Sequence, residues 1–599
     1  MSGNTVAPLS LLNNLKRLFH VMPVRRRWQL GGLVLLMLAG AVAEMATLGS
    51  VVPFLALLAG TDGQQFPIPG TDLKLSLESA SVLFVAVALG AAGLRMGVLR
   101  LGFRFTFALG ADLGVEVYRR TLYQPYSWHV AQNSSEVLAA ISKVNYVVFN
   151  VINPLLEAVV ALAMTVATLS MLMLIDAQSA LMAGAAFALL YGVTSLLVRR
   201  RLDEHGKIIA ASEARRIQAV QEGLGGIRDV LLDGTQKIYL DRFANVDRVM
   251  RQSQAAISFL GIAPRFLVEA TGMVFIVLLA SWLSVREGGL VGAIPILGAL
   301  ALGAQKMLPQ MQQVYFSWSW MVGNHEQMSD ILEILERPLT IAEEHRLAAL
   351  AAPRHAGSVK TGTPLIALDA VSFRYGDALP DVLTEIDLHI MRGARIGFVG
   401  KTGSGKSTLI DIIMGLLEPT AGTLSVDGEA VAPANRRLWQ ARIAHVPQSI
   451  FLADISIAEN IAFGLPREAI DMDRVRHAAR TAQAADFIAE MSEGYDTMVG
   501  ERGIRLSGGQ RQRIGIARAL YKQVDVLVLD EATSALDEAT ERAVMDAVAG
   551  LHDNLTILMI AHRLSTLEQC DEIIEIGQGR IQRRRRPADG HTAHEGQTA

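Results

Sequence analysis

The stretch Gly400-Lys401-Thr402-Gly403-Ser404-Gly405-Lys406-Ser407-Thr408 decides the fold of the C-terminal part of the chain. It stands between two apolar runs, 396–399 and 409–414, which is the order of a buried strand, a glycine-rich loop and a helix. Glycines let the backbone curl until several N–H groups point at nucleotide phosphates. We expect Lys406 to reach the β- and γ-phosphates and Ser407 to ligate Mg²⁺, beside a helix N-terminus that favours anions. The loop alone fits ATP or GTP, and the alternative is a glycine-rich turn without a ligand.

The composition indicates a protein with a membrane part. Of the 599 residues, 51% are hydrophobic and 19% are charged, and the mean hydropathy is +0.32. A chain of this length is expected to hold more than one domain. The net charge of −3 indicates no particular partner. The single cysteine, Cys570, excludes an internal disulfide, a thiolate zinc cluster and a cysteine protease in the N-terminal region.

Long apolar runs in the first part of the chain predict transmembrane helices. Six stretches approach or exceed the roughly 20 residues that cross a bilayer. They are residues 30–59, 80–113, 146–175, 181–198, 260–283 and 290–320. Several exceed that length, so we expect cytoplasmic extensions, and residues 9–19 read as a helix in the membrane interface. The arginine clusters at 25–27, 119–120 and 199–201 place both termini in the cytoplasm.

These patterns predict the following domain organisation. Residues 1–335 form the transmembrane domain and 336–363, with Pro, Ala and mixed charge, form a linker. Residues 364–582 alternate short strands and helices, as in a nucleotide-binding α/β domain. The basic and polar tail 583–599 is expected to be disordered.

Charged residues inside the predicted spans raise a functional hypothesis, because burying charge in a membrane is costly. Arg95, Arg100 and Arg265 are our candidates for a cavity that receives an anionic substrate. The alternative for Arg265 is an i,i+4 ion pair with Glu269.

The run 526–531, Val-Leu-Val-Leu-Asp-Glu, predicts a buried strand ending in two carboxylates. We expect Asp530 to hold Mg²⁺ through water and Glu531 to polarise the attacking water. Two solvated acids at a strand end are the alternative, which the phosphate loop in the same domain disfavours.

The stretch Leu506-Ser507-Gly508-Gly509-Gln510, together with the phosphate loop, resembles the ATPase domain of ABC transporters, and the resemblance covers the whole chain. It implies that Ser507, Gly508, Gly509 and Gln510 bind the γ-phosphate of a nucleotide held by the opposite subunit. It also implies that Tyr375 stacks on adenine, that Gln448 senses Mg²⁺ and that His562 contacts the γ-phosphate. Glu531, His562 and Gln448 are then the catalytic residues, Ser407, Gln448 and Asp530 hold Mg²⁺, and ATP is the nucleotide.

The resemblance implies an α-helical membrane domain with six spans fused to an α/β P-loop ATPase domain. A chain with one phosphate loop and six spans is expected to form a homodimer, with a heterodimer as the alternative. Spans fused ahead of the ATPase domain resemble an exporter rather than an importer. The expected location is the bacterial cytoplasmic (inner) membrane, and an action on nucleic acid is excluded by the spans.

Three stretches of the membrane domain, 48–54, 133–138 and 263–269, resemble the bacterial lipid-linked oligosaccharide flippases. This resemblance implies a lipid-linked saccharide or another anionic glycolipid as the cargo, with Arg95, Arg100 and Arg265 at its head group. A lipid, multidrug or peptide exporter of the same architecture is the alternative. An ATP-gated channel or regulatory ATPase is an alternative of another class.

Overall fold

A computed structural model describes residues 11–59, 66–67, 74–175, 177–284, 289–339, 362–532, 537–550, 555–560 and 567–586. The chain forms two compact units. The first, the helical unit, contains residues up to 123 together with 132–339. The second, the α/β unit, contains residues from 340 onward together with the short segment Gln124–Ala131. The predicted linker lies almost wholly outside the described residues.

The helical unit consists of long helices and a short antiparallel strand pair. In chain order, including α4 of the other unit, the elements are α1 (Leu11–Val21), α2 (Val24–Ala59), β1 (Phe66–Pro67), β2 (Lys74–Leu75), α3 (Leu77–Leu122), α4 (Tyr126–Ala131), α5 (Ser134–Val147), a π-helical turn (Val148–Ile152), α6 (Asn153–Ile175), α7 (Ala177–Gly225), α8 (Ile227–Leu232), α9 (Gln236–Ile262), α10 (Pro264–Ser284) and α11 (Gly289–Glu336).

Helices of the helical unit are long and apolar enough to cross a membrane. Among the described residues five stretches meet this criterion: Val24–Thr47, Leu77–Leu122, Ser134–Met173, Ala180–Gly225 and Gln236–Val274. The predicted span 290–320 falls on α11. Large apolar side chains point outward from these helices, and Leu35 and Leu89 are each 69% exposed. An apolar outer surface of this kind suits contact with lipid tails.

Two prolines interrupt the predicted spans. The third span is continuous in sequence, but the π-helical turn precedes α6, whose second residue is Pro154. The fifth span, 260–283, is divided at Ala263, where α9 ends and α10 begins with Pro264. Proline lacks the N–H that would continue the hydrogen-bond ladder, so the helix changes its geometry or ends there.

The helices α7 and α11 approach each other very closely at a pair of glycines. A Cβ atom on Gly206 would lie 2.5 Å from the carbonyl oxygen of Gly323. A Cβ atom on Gly323 would lie 2.8 Å from Ile257 Cδ1 on α9. The absence of a side chain at Gly206 therefore allows the close approach of α7 and α11, and its absence at Gly323 makes room for Ile257 of α9.

The α/β unit is built on two sheets. Its strands are β3 (Ile366–Phe373), β4 (Leu383–Ile390), β5 (Arg395–Val399), β6 (Ala421–Val426), β7 (Glu429–Ala430), β8 (Ile443–Val446), β9 (Val526–Asp530), β10 (Thr556–Ile560), β11 (Glu572–Gly577) and β12 (Arg580–Arg585). One sheet has the order β12-β11-β5-β10-β9-β8, parallel except for β12, and the other is antiparallel with the order β4-β3-β6-β7.

Helices pack against the larger sheet and against one another. They are α12 (Lys406–Ile413), α13 (Arg436–Ala441), α14 (Ile457–Ile461), α15 (Met472–Thr481), α16 (Ala485–Ala489), α17 (Gly508–Tyr521) and α18 (Glu538–Ala549). Phe398, Leu409 and Ile413 are fully buried in a core shared with the smaller sheet. The predicted fold class, a helical membrane domain fused to an α/β domain, is confirmed.

The larger sheet extends further than the sequence predicted. Arg583, Arg584 and Arg585 were assigned to a disordered tail but lie in β12, opposite Glu575, Ile574 and Ile573 of β11. An edge strand tolerates such a charged run because one side of it faces solvent. The ordered domain therefore reaches Arg585, and the rest of the predicted tail from 587 onward lies outside the described residues.

Candidate functional site

The predicted phosphate loop connects β5 to α12. Gly400, Gly403 and Gly405 have φ angles of 147°, 80° and 104°, a range that favours glycine. A Cβ atom on Gly400 would lie 2.1 Å from the carbonyl oxygen of Ile576. The glycines are therefore required by the backbone path that turns the strand into the helix.

Polar groups converge inside this loop. The Lys406 Nζ donates to the carbonyl oxygens of Gly400 and Lys401 at 2.7 and 3.0 Å. The Ser404 Oγ is buried and has no hydrogen-bond partner among the described residues. Ser407 is exposed in the first turn of α12. A buried ammonium, an unsatisfied hydroxyl and a helix N-terminus together suit a polyphosphate.

Tyr375 stands beside the loop with its ring partly open to solvent. Its hydroxyl lies 3.1 Å from Thr408 Oγ1, and its ring packs edge-on against Phe373 with the centroids 4.9 Å apart. The side chain remains 46% exposed. The ring is thus held next to the loop and keeps a surface on which a nucleobase can stack.

The two predicted carboxylates lie at the same sheet edge as the loop. Strands β5 and β9 run parallel with β10 between them, so Val399 and Asp530 end at one edge. Glu531 follows with a φ of 48°, an uncommon conformation for a residue with a side chain. Gln448 Nε2 donates to Glu531 Oε2 at 2.6 Å. The structure thereby brings together two of the predicted catalytic residues.

Negative charge accumulates near the end of β9. Burial and the neighbouring charge of Asp530 raise the pKa of Asp411 to about 6. Two carboxylates that disfavour each other's ionisation are stabilised in their charged form by a bound cation. The exposed hydroxyl of Ser407 and the carboxylate of Asp530 are oxygen ligands of the kind that Mg²⁺ prefers.

The stretch 506–510 begins helix α17. Ser507 is the N-cap: its Oγ accepts from the Gln510 backbone N–H at 3.2 Å, and its own N–H donates to Gln510 Oε1 at 2.8 Å. Gly508 and Gly509 follow in the first turn, where backbone N–H groups lack helical partners. His562 lies outside the described residues.

The helical unit contains a cavity of about 310 Å³ between α2, α3, α6 and α11. Its polar lining is Arg95, Asn153, Glu157, Gln310 and Gln313, and the rest is largely apolar. Glu157 accepts from Asn153 Nδ2 at 2.7 Å and from Gln313 Nε2 at 2.8 Å. Carboxamides and charges among apolar helices form a surface that can bind both a polar group and a hydrocarbon.

Arg95 is also part of an ion-pair cluster. It contacts Glu44, which is 5% exposed, and Lys306 Nζ donates to the other Glu44 oxygen at 2.7 Å. The cluster joins α2, α3 and α11 and carries one excess positive charge.

Comparison with known proteins gives the family. Residues 33–301 match the model of the ABC transporter transmembrane region, and residues 383–534 match that of the ABC transporter. An ATP-dependent lipid A-core flippase of Cupriavidus metallidurans is 30% identical over 78% of this chain and 77% of its own length. The chain belongs to the ABC transporter family. It is therefore an ATP-hydrolysing, multi-pass membrane transporter.

Further similarities cover nearly the whole transporter. An ATP-dependent lipid A-core flippase of Alkalilimnicola ehrlichii is 29% identical over 94% of this chain and 92% of its own. The solved structure of a bacterial Atm1-family ABC exporter with ATP bound superposes with a TM-score of 0.73. It covers 94% of this chain and 96% of its own at 24% identity, and it shares the fold.

In the structure of the transporter, the three arginines predicted to bind the substrate lie in different environments. Arg95 lines the cavity. Arg265 pairs with Glu269 at 2.7 Å, which is the alternative that its i,i+4 spacing allowed. Arg100 is exposed on α3, and neither it nor Arg265 belongs to the described lining of the cavity.

The prediction from sequence missed the other polar residues of the cavity and the ion pair of Arg95. Glu157, Asn153 and Gln313 line the same cavity, and Lys306 shares Glu44 with Arg95. The available signal was the presence of carboxylates and carboxamides inside apolar spans, which is rare without a function. Their convergence from separate helices, however, is a property of the packing.

Proposed function

We propose that this transporter is a homodimeric exporter that flips an amphipathic lipid with a saccharide-bearing, anionic head group across the bacterial inner membrane, with both termini in the cytoplasm. The observation that carries the proposal is the cavity containing Arg95, Glu157 and Gln313 between apolar helices. Carboxamides and carboxylates bind sugar hydroxyls, and a guanidinium binds phosphate in a two-pronged geometry. The apolar walls suit the lipid part.

The nucleotide site supports a full hydrolytic cycle. Lys406 and the loop N–H groups would bind the phosphates, and Ser407, Gln448 and Asp530 would hold Mg²⁺, which would neutralise charge on the phosphates. Glu531 orients and polarises the attacking water, and the hydrogen bond from Gln448 positions its carboxylate. Tyr375 stacks on the adenine, and His562 contacts the γ-phosphate.

A second copy of the chain completes the arrangement. The chain contains one phosphate loop and one 506–510 stretch. If each nucleotide lies between Lys406 of one subunit and Ser507 of another, two copies form two equivalent sites. A partner of similar sequence would serve the same purpose, which makes a heterodimer the alternative.

The cargo class has support from two sides. The relatives from Cupriavidus metallidurans and Alkalilimnicola ehrlichii are named lipid A-core flippases. The lipid-linked oligosaccharides suggested by the sequence are likewise lipids with phosphate and sugar in the head group. Both cargoes place an anionic, hydroxyl-rich group next to long hydrocarbon chains, which suits the mixed polar and apolar lining of the cavity.

The test is reconstitution of the purified full chain in liposomes, with ATPase measured against three additions: lipid A-core, polyprenyl-pyrophosphate-linked oligosaccharide and a hydrophobic drug. We expect one of the two glycolipids to stimulate the ATPase and its labelled head group to appear on the opposite leaflet. Glu531→Gln is the inactive control. Stimulation by the drug alone would refute the glycolipid proposal.

A matched pair of variants tests the cavity itself. Gln313→Leu removes the donor to Glu157, whereas Gln312→Leu changes its neighbour on α11, which does not belong to the described lining. We expect only Gln313→Leu to raise the glycolipid concentration needed for half-maximal stimulation. Equal effects of the two variants would show that the cavity does not bind the head group.

A multidrug or peptide exporter is the second candidate, because a second cavity is aromatic. It measures about 450 Å³ and is lined by Tyr191, Tyr315 and Trp318 together with Arg199. Aromatic walls suit flat apolar molecules. Drug-stimulated ATPase that Trp318→Ala abolishes and Gln313→Leu leaves unchanged would favour this function.

A further inference from the structure

A cluster of three potential metal ligands lies outside the nucleotide site and the two cavities. Asp203 on α7 and His325 and Glu326 on α11 offer ligand atoms that lie within 4.8 Å of one another. The side chains of His325, Asp203 and Glu326 are 9%, 30% and 27% exposed. The histidine is thus buried, while the two carboxylates remain reachable from solvent.

The hydrogen bonds of His325 determine which ring nitrogen carries the proton. Its Nδ1 lies 2.8 Å from the carbonyl oxygen of Val322. A carbonyl oxygen only accepts, so Nδ1 is the donor and bears the hydrogen. In the neutral ring Nε2 is then an unprotonated lone pair.

That lone pair faces two negative charges. His325 Nε2 is 3.4 Å from Asp203 Oδ1 and 3.8 Å from Glu326 Oε1. An acceptor nitrogen opposite two acceptor oxygens is unfavourable unless a cation lies between them. The three atoms therefore require either a proton or a metal ion.

The charged residues around the three ligand atoms leave the cluster with a net negative charge. Lys207 Nζ lies 2.8 Å from Asp203 Oδ2 and 4.0 Å from Glu326 Oε1. Glu204 on the same helix pairs with Arg200 at 3.0 Å, so these two charges offset each other. With a neutral His325, the two carboxylates and Lys207 sum to one negative charge. Lys207 also occupies Oδ2 and not Oδ1, so the oxygen that faces the histidine stays available.

We propose that His325 Nε2, Asp203 Oδ1 and Glu326 Oε1 bind a divalent transition-metal ion of the Zn²⁺ class. A backbone carbonyl that accepts from the other ring N–H is the usual means of orienting a metal-binding histidine. Metal–ligand bonds of about 2.0–2.2 Å in tetrahedral geometry place neighbouring ligand atoms roughly 3.4 Å apart. An imidazole ligand favours Zn²⁺ over Mg²⁺, so the Mg²⁺ that accompanies ATP does not occupy this site.

The ion would connect α7 and α11, which contain different predicted spans. Asp203 is three residues before Gly206, and His325 is two residues after Gly323, so the site adjoins the contact of α7 and α11 at these glycines. Bound Zn²⁺ holds these helices together and stabilises the folded transporter, because an ion that binds only the folded state raises its stability. This inference is independent of the cargo.

The experiment is a Zn²⁺ titration of the purified, tag-free, metal-stripped full chain in competition with a chromophoric chelator. We expect the wild type to bind one more equivalent than His325→Ala, or the same equivalent about tenfold or more tightly. His205→Ala is the matched control, because His205 lies on α7 with its Nδ1 3.3 Å from Ser253 Oγ, outside the cluster. It should bind Zn²⁺ as the wild type does.

Three further variants and a thermal-unfolding measurement test the proposal if His325→Ala folds poorly. Glu326→Gln and Asp203→Asn keep the shape of the side chains and should also weaken Zn²⁺ binding. Lys207→Met removes a competing positive charge and should strengthen it. Zn²⁺, but not Mg²⁺, should raise the unfolding temperature of the wild type and not of the ligand variants.

Equal Zn²⁺ affinity in the wild type, Glu326→Gln and Asp203→Asn would overturn the proposal. A wild type that binds no Zn²⁺ would also overturn it.

Discussion

Replacing Gly206 with alanine tests the close approach of α7 and α11. The added Cβ atom would lie 2.5 Å from the carbonyl oxygen and 3.1 Å from the carbonyl carbon of Gly323. Both atoms belong to the backbone of α11, so no side-chain rotation can make room. The two helices must separate or bend.

The size of the effect follows from these distances. Real Cβ contacts shorter than 3.0 Å essentially do not occur, so the helices must move apart by at least 0.5 Å, the difference between 3.0 and 2.5 Å. A shift of this size loosens the packing around Leu202 of α7 and Ile257 of α9, which are buried in one apolar cluster next to the contact. Overpacking of this kind costs about 1–3 kcal/mol. For a chain of 599 residues, whose entropy of unfolding is about 2.1 cal/mol/K per residue, this corresponds to a fall in unfolding temperature of roughly 1–2 °C.

The assay is thermal unfolding of the purified transporter in detergent, with Gly192→Ala as the matched control. Gly192 lies on the same helix, and its added Cβ atom would meet no atom within 4 Å. The gain in helix propensity is common to both variants, so their difference isolates the steric cost. An unfolding temperature of Gly206→Ala equal to or above that of Gly192→Ala would refute the reasoning.

Three further predictions concern other sites. Glu531→Gln should retain ATP binding and lower the ATPase rate at least about 100-fold, since it removes the group that polarises water; a rate near that of the wild type would exclude Glu531 as the base. Cys570 is buried, and burial raises the pKa of its thiol from 9.0 to about 12. Maleimide should therefore label it at neutral pH only when the protein unfolds, and its contribution to stability should fall only as the pH rises from about 9 toward 12. Rapid labelling of the native protein would contradict this. Glu44→Ala should destabilise the transporter by roughly 3 kcal/mol because Arg95 and Lys306 lose their shared counter-ion. Lys306→Met should destabilise it less, because Arg95 still pairs with Glu44. A lower unfolding temperature for Lys306→Met than for Glu44→Ala would exclude the shared ion pair.

The backbone of the phosphate loop was largely predictable from the sequence because its determinants are local. A loop such as 400–408 needs glycines at fixed positions to turn a strand into a helix, and the φ angles of Gly400, Gly403 and Gly405 bear out that requirement. Ser507 as an N-cap follows from the next three residues in the same way. Such features depend on a few consecutive residues and leave a pattern that can be read directly.

The ends of the α/β domain and of the helices were less predictable, because they depend on which segments form backbone hydrogen bonds with each other. Arg583–Arg585 have the composition of a solvated tail, but the backbone of β11 offers them a strand to pair with. The fifth span appeared continuous in hydropathy, and Pro264 divides it through a missing N–H rather than through polarity.

The sequence by itself determined the membrane spans, the phosphate loop and the carboxylates at the end of β9, since length, apolarity and short motifs are properties of neighbouring residues. Only the tertiary structure decided which charges meet. It paired Arg265 with its helical neighbour, placed Arg95 and Lys306 on Glu44, and brought Asp203 to His325 across two helices. These residues are up to 262 positions apart in the chain, and their distances are set by how the helices cross.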